Sequence, residues 1–203
     1  MELHAISTGK QSVEEFVEIA SGIHPYIDAI HIREKQRTAK EIIAIIEKLM
    51  SRQVPLQKII VNDRVDVAFA TGTRGVQLAH HSIDVGTVRR TFPGLAIGCS
   101  IHSPGELEKA EQDGADYLIF GHIFTTESKP GLAPRGLTNL QTIAQASKLP
   151  VIAIGGIHPD NVEQVLDAGA SGIAVMSGIF EASDPLKAAY DYYSRVKGRD
   201  SPQ

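Results

Sequence analysis

Eight short apolar runs, each separated from the next by residues with helical spacing, restrict this chain to very few folds. The runs fall at 3–7, 29–33, 58–62, 75–78, 96–100, 117–120, 151–154 and 172–176. Runs this short and this uniformly apolar read as parallel strands covered on both faces, with helices as the crossovers between them. The helix starts are marked independently. Ser12 with Glu15 and Thr38 with Glu41 read as capping boxes, ahead of Val13, Phe16, Val17, Ala20 and of Ile42, Ile45, Ile46, Leu49. Ser103-Pro104 with Glu106 repeats the device, with proline at the first helical position. Asp184-Pro185 opens a last helix whose expected apolar face carries Leu186, Ala189, Tyr190 and Tyr193. An open doubly wound sheet of the flavodoxin kind uses about five strands. Eight strands predict an α/β chain closed into a single (β/α)8 TIM barrel, one domain over 1–203 with a frayed tail at 198–203. A chain of 203 residues is short against the roughly 250 usual for this barrel, which leaves little room for an inserted domain.

A net charge of −4 gives no electrostatic footprint for nucleic acid or an anionic membrane surface, so neither is expected as a partner. No apolar run approaches the roughly 20 residues a spanning helix needs. The opening MELHAIST lacks a secretory apolar core, and a lone Cys99 rules out an internal disulfide, which together predict a cytoplasmic protein. Composition leaves a homo-oligomer open.

In a barrel of this type the chemistry sits at the C-terminal ends of the strands. Those ends carry Arg33 and Lys35, Asn62 and Asp63, Gln77 and His80, Ser100 and His102, His122, Gly155-Gly156 and Ser177. Gly155-Gly156 after the seventh strand and Met176-Ser177-Gly178 after the eighth predict a phosphate cradle, because backbone N–H groups approach an anion closely there. Arg33 and Lys35 point to an anion site. Asn62-Asp63 serves either the site or the cap of a helix beginning near Arg64, and His102 sits beside a helix N-cap. His80, His81 and Ser82 read as exposed loop residues. His4, His24 and His158 read as structural or exposed, and no spacing predicts a metal site. His122 stands at the root of a long loop, 121–136, with two prolines and three glycines, the pattern of an active-site lid. An imidazole there suits general acid–base work. Lys129, within the loop, is expected to stay exposed until a ligand closes the lid over it.

These residues are embedded in motifs that closely resemble the thiamin phosphate synthase superfamily of (β/α)8 barrels: HIREK (31–35), IIVNDRVDVA (59–68), GCSIHS (98–103), GADYLIFGHIF (114–124), TTESK (125–129), AIGGI (153–157) and IAVMSGI (173–179). Two positions depart from the synthase pattern. The synthases hold Mg²⁺ through the aspartate of the Asn-Asp pair, here Asp63, and a second aspartate after the fourth strand, where this chain has Ser82. His122 stands where the pattern has proline. Both departures resemble the TenI-type branch, so the resemblance implies a thiazole tautomerase of thiamin biosynthesis. Such an isomerase aromatises a carboxy-dihydrothiazole phosphate by proton transfer, with no metal or other cofactor. It implies His122 as the acid–base group and Gly156, Met176, Ser177 and Gly178 as the phosphate site. It also implies Thr126, Glu127, Ser128 and Lys129 around the carboxylate, with Ser100 and His102 assisting. Arg33, Lys35 and Asn62 descend from the pyrophosphate site. The alternatives are thiamin phosphate synthase itself, which couples the pyrimidine to the thiazole, and a non-catalytic sensor of thiazole phosphate.

Overall fold

In the computed structural model, which describes residues 1–198, the eight runs pair in chain order as one closed parallel barrel. The strands are β1 (Glu2–Ile6), β2 (Ala29–Ile32), β3 (Ile59–Asn62), β4 (Gly75–Leu78), β5 (Ala96–Ile101), β6 (Tyr117–Gly121), β7 (Val151–Ile154) and β8 (Gly172–Val175). The ring closes where His4 and Ala5 of β1 pair with Ala174 and Val175 of β8. The helices are α1 (Val13–Ile23), α2 (Ala39–Ser51), α3 (Val65–Thr71), α4 (Val85–Thr91), α5 (Pro104–Asp113), α6 (Gly136–Ala146), α7 (Val162–Asp167), α8 (Ser177–Phe180) and α9 (Pro185–Lys197). The expected fold is the observed one. Of the tail expected to fray, only Gly198 lies within the described residues.

Local chemistry starts the helices. Ser12 and Thr38 accept from the backbone N–H groups of Glu15 and Glu41, whose carboxylates reach back to the cap N–H, so both capping boxes form. The third box does not. Ser103 accepts from Glu106 N–H, but the Glu106 carboxylate takes the N–H of His102 instead, one residue upstream. Pro104, with its ring in the first turn, and an extended Ser103 place His102 rather than Ser103 within reach.

Side-chain alternation along the strands divides the molecule into two apolar regions. Outward-facing Leu3, Ala5, Ile30, Ile32, Val61, Val76, Leu118 and Ile173 pack beneath the helices. Inside the barrel, Ile6, Ala29, Ile60, Tyr117, Ile119, Ile152 and Ala174 form a smaller cluster. Helices α1 and α2 bury the expected faces: Phe16, Val17 and Ala20, and Ile42, Ile45, Ile46 and Leu49. α9 is rotated from expectation. It buries Ala189, Tyr192 and Val196, whereas Leu186 and Tyr190 are about half exposed. The rotation is set by Tyr192, whose hydroxyl donates to Ile157 O at 2.9 Å in the turn after β7.

Candidate active site

The C-terminal ends of the strands open on a cavity of about 610 Å3. Its walls include every residue that the resemblance placed at the site except Glu127, which is exposed. From the loop after β2 come Arg33, half-buried, and Lys35, exposed; from β3 comes Asn62, from β5 Ser100, and from just beyond its end His102. His122 is buried at the rim of β6, while Thr126, Ser128 and Lys129 descend from the loop that follows. Gly156, Met176, Ser177 and Gly178 complete the wall from β7 and β8. Arg33, Lys35 and Lys129 face a single lining carboxylate, Asp63, so a chain with net charge −4 concentrates positive charge in its cavity.

Two glycines shape the cradle. A Cβ on Gly155, at φ +100°, would lie 2.3 Å from the Cβ of His122, and one on Gly156, at φ +67°, would lie 2.5 Å from Thr125 O. Only glycine therefore lets the β7 turn pass against the root of the lid. In α8 the first N–H groups taken up are those of Ile179 and Phe180, both by Met176 O, so the N–H groups of Ser177 and Gly178 lie ahead of the first helical bond.

The loop 122–135 is stitched down. Arg135 N–H donates to His122 O at 2.9 Å, Gly136 N–H to Ile123 O at 3.0 Å, and Arg135 Nε to Gly121 O at 3.1 Å. Lys129 is accordingly half-buried with no ligand needed, which corrects the expectation of an exposed lysine. Burial and the nearby Arg135 push its pKa below the ordinary lysine value. His122 Nε2 stands 3.2 Å from Leu132 O, which can only accept, so Nε2 carries the hydrogen and the buried Nδ1 is left without a partner. Burial, then Lys129, push the His102 imidazole below its ordinary value.

Asn62-Asp63 does not cap a helix: Arg64 takes the N-cap position of α3, with no side-chain cap. Asp63 adopts φ +63° and turns its carboxylate toward the loop after β4. There one oxygen accepts from the Ser82 hydroxyl and the other lies 3.5 Å from His81 Nε2. One carboxylate already bonded to a serine is a poor donor set for a hard divalent ion. Among the described residues no group of three or more His, Cys, Asp or Glu side chains is placed to hold a metal. The residues present do not fit the two-carboxylate Mg²⁺ site that the resemblance implies for a synthase. Cys99 is partly buried, and burial raises its thiol to about 11, which keeps it an unreactive thiol near neutral pH.

Sequence reading missed Tyr192, which reaches the cavity wall from α9. Nothing in its local sequence separates it from Tyr190 or Tyr193. Gln77, an inward residue of β4, donates through Nε2 to Ser100 Oγ at 3.0 Å and so holds that hydroxyl at the floor.

A sequence profile described as thiamine monophosphate synthase matches residues 3–179. The thiamine-phosphate synthase of Pyrococcus abyssi is 36% identical over 186 residues, 90% of this chain and 89% of that protein. That of Chlorobium luteolum is 42% identical over 164 residues, 79% and 77% of the two chains. The solved thiamine phosphate pyrophosphorylase of Pyrococcus furiosus superposes with a TM-score of 0.84 at 33% identity, covering 97% of this chain and 96% of that one. These matches correct the isomerase expectation. The relatives carry the name of a synthase, a transferase, and not of a tautomerase. The tautomerase reading rested on two positions, Ser82 and His122, while the synthases match the chain over 79% or more of its length. No helix among the described residues is long and apolar enough to cross a membrane.

Proposed function

The chain belongs to the thiamine monophosphate synthase family, and on that premise we propose that it is a thiamine-phosphate synthase, joining a pyrimidine diphosphate to a thiazole phosphate with loss of diphosphate. What supports the reading is that one cavity of about 610 Å3 is lined both by Arg33 and Lys35, after β2, and by the glycines and N–H-rich turns after β7 and β8.

The thiazole phosphate sits on Gly156 and on the N–H groups of Ser177 and Gly178 beside Met176, with the ring held by Thr126, Ser128 and Lys129. Glu127, being exposed, contributes at most its backbone. The diphosphate lies across the cavity against Arg33 and Lys35, above Asn62. In the coupling step the bond from the pyrimidine methylene carbon to diphosphate oxygen breaks, and a bond from that carbon to the thiazole nitrogen forms. Negative charge gathers on the departing diphosphate, so fixed cations stabilise the transition state more than the ground state. The chain's own cations supply that field whether or not an ion accompanies the substrate. No proton need leave either reactant in this step. His122 therefore serves as a hydrogen-bonding group: its bare Nδ1 accepts from a ligand N–H or water, and its Nε2 ties the lid to the site. Ser100 and His102 orient the ligand from the floor.

Calorimetric titration of inorganic diphosphate and thiazole phosphate, separately and together, tests the two-site arrangement. Both anions are expected to bind at once, and R33A is expected to weaken diphosphate by about 10- to 100-fold, the worth of a charge-assisted contact, while sparing thiazole phosphate. Mutual exclusion of the two anions would contradict it.

A further inference from the structure

The loops after β3 and β4 meet at Asp63, His81 and Ser82. Asp63 N–H donates to Gln77 O at 3.0 Å, which fixes the turn after β3 against β4. Ser82 N–H donates to Ala79 O at 3.0 Å and closes the turn after β4. The Ser82 hydroxyl accepts from Ala79 N–H at 2.8 Å and donates its own hydrogen to Asp63 Oδ1. A carboxylate held through one oxygen presents the other in a set direction. That second oxygen, Oδ2, lies 3.5 Å from His81 Nε2. The gap is longer than an ordinary N–H···O hydrogen bond of about 2.7–3.2 Å. The His80 ring packs edge-on against that of His81, with 5.1 Å between centroids. Asp63, His80 and His81 all line the cavity, and the His81 side chain is half exposed to it and to solvent.

Two ligand atoms about 2.1 Å from one ion stand about 3.4 Å apart in a tetrahedral site and about 3.0 Å apart in an octahedral one. The gap between Asp63 and His81 matches the tetrahedral edge. An imidazole with one carboxylate oxygen is also the donor set of a borderline ion such as Zn²⁺ or Co²⁺ rather than of Mg²⁺. Ca²⁺ is large enough to bridge the gap, but it takes oxygen ligands and His81 offers nitrogen. Two protein atoms make half of a tetrahedral site, in keeping with the lack of any suitable group of three among the described residues. The other half has to come from a ligand, and the cavity that Asp63 and His81 line also carries Arg33 and Lys35.

We propose that Asp63 Oδ2 and His81 Nε2 form one edge of a tetrahedral site for a zinc-class divalent cation, completed by two oxygens of a bound diphosphate. Completion by diphosphate rests on the site proposed for that anion at Arg33 and Lys35. Ion and anion then bind together. One carboxylate and one imidazole hold a free ion weakly, and the diphosphate brings the negative charge that lets a cation stand near Arg33 and Lys35. Where the resemblance puts the second aspartate of the synthases, Ser82 instead orients the first.

The test uses the metal-free full chain with inorganic diphosphate and Co²⁺, whose visible bands are intense in a tetrahedral field and weak in an octahedral one. Protein, Co²⁺ and diphosphate together are expected to give intense bands that no two of the three give alone. His81→Ala, at an exposed position, is expected to remove them. By calorimetry, Zn²⁺ is expected to tighten diphosphate by about tenfold, within the ordinary range of coupling between two ligands, and Mg²⁺ to do so much less. Ser82→Asp restores a second carboxylate and is expected to move that gain to Mg²⁺. Weak octahedral bands in the three-part mixture, or bands unchanged in His81→Ala, overturn the proposal and leave the diphosphate site in place. A larger gain with Mg²⁺ than with Zn²⁺ in the wild-type chain does the same. Failure of diphosphate to bind under any of these conditions overturns both.

Discussion

At the scale of single residues, the cavity works by bringing cations to backbone N–H groups and keeping carboxylates out. Asp63 is the one lining carboxylate, and its oxygens are turned to Ser82 and His81. Lys129 is half-buried under a loop that is already tied to β6, so its charge meets the ligand in a medium less screened than water. Lys129→Met keeps the length of the stem and removes the charge. It is expected to weaken thiazole phosphate binding by about tenfold, with diphosphate affinity nearly unchanged, as read by calorimetry; an equal loss for both anions would show that the lysine serves the whole cavity. Much of this layer was legible in the sequence because strand ends in a barrel are functional positions by geometry. What was not legible was how Asp63 is used. Its positive φ and its bond to Ser82 depend on a contact between the loops after β3 and β4, 19 positions apart in sequence.

At the scale of elements, strands and caps came through the sequence because their causes are local. Ser12 with Glu15 and Thr38 with Glu41 act over three residues, and the strands reveal themselves by composition. Ser103 with Glu106 has the same spacing, yet Glu106 bonds His102 N–H, since the conformation ahead of Pro104 decides which donor is near. The face of α9 was missed for a non-local reason. Its tyrosines are equivalent in local sequence, and the choice of Tyr192 is made by Ile157 O, 35 residues away. That bond braces the β7 turn carrying Gly155 and Gly156. Tyr192→Phe leaves a buried carbonyl without its donor and should cost about 1–3 kcal/mol in urea unfolding, with a matching loosening of thiazole phosphate binding. Unchanged stability would remove the brace from this account.

At the scale of the whole molecule, the fold was the most legible property and the reaction the least. Eight alternating units admit one closed barrel, whereas the tautomerase reading leaned on Ser82 and His122, two side chains set in a frame shared with synthases over 79% or more of the chain. Burial of polar groups inside the barrel also gives stability a pH dependence. His31 is pushed well below its ordinary 6.5 by burial, and His24 and His102 are lowered for the same first reason. In the unfolded chain these imidazoles gain protons below about 6.5 that the folded chain does not take up, so stability is complete above that value and falls as pH drops through it. A full one-proton difference at His31 corresponds to about 1.4 kcal/mol per pH unit, seen as a lower urea midpoint at about pH 5 than at about pH 7. Glu2, held at about 2, has the depressed carboxylate's sign: its contribution is present above 4.5 and fades only as pH falls from there toward 2. A urea midpoint independent of pH over the upper window would contradict a neutral, buried His31.

The central claim is the coupling reaction, and the most direct measurement is to incubate the purified protein with the pyrimidine diphosphate, thiazole phosphate and Mg²⁺ and to follow thiamine phosphate and diphosphate by chromatography. The account predicts equal molar amounts of both products over many turnovers, strongly reduced in R33A. If both substrates bind in the cavity and no thiamine phosphate forms, this chain is not a synthase.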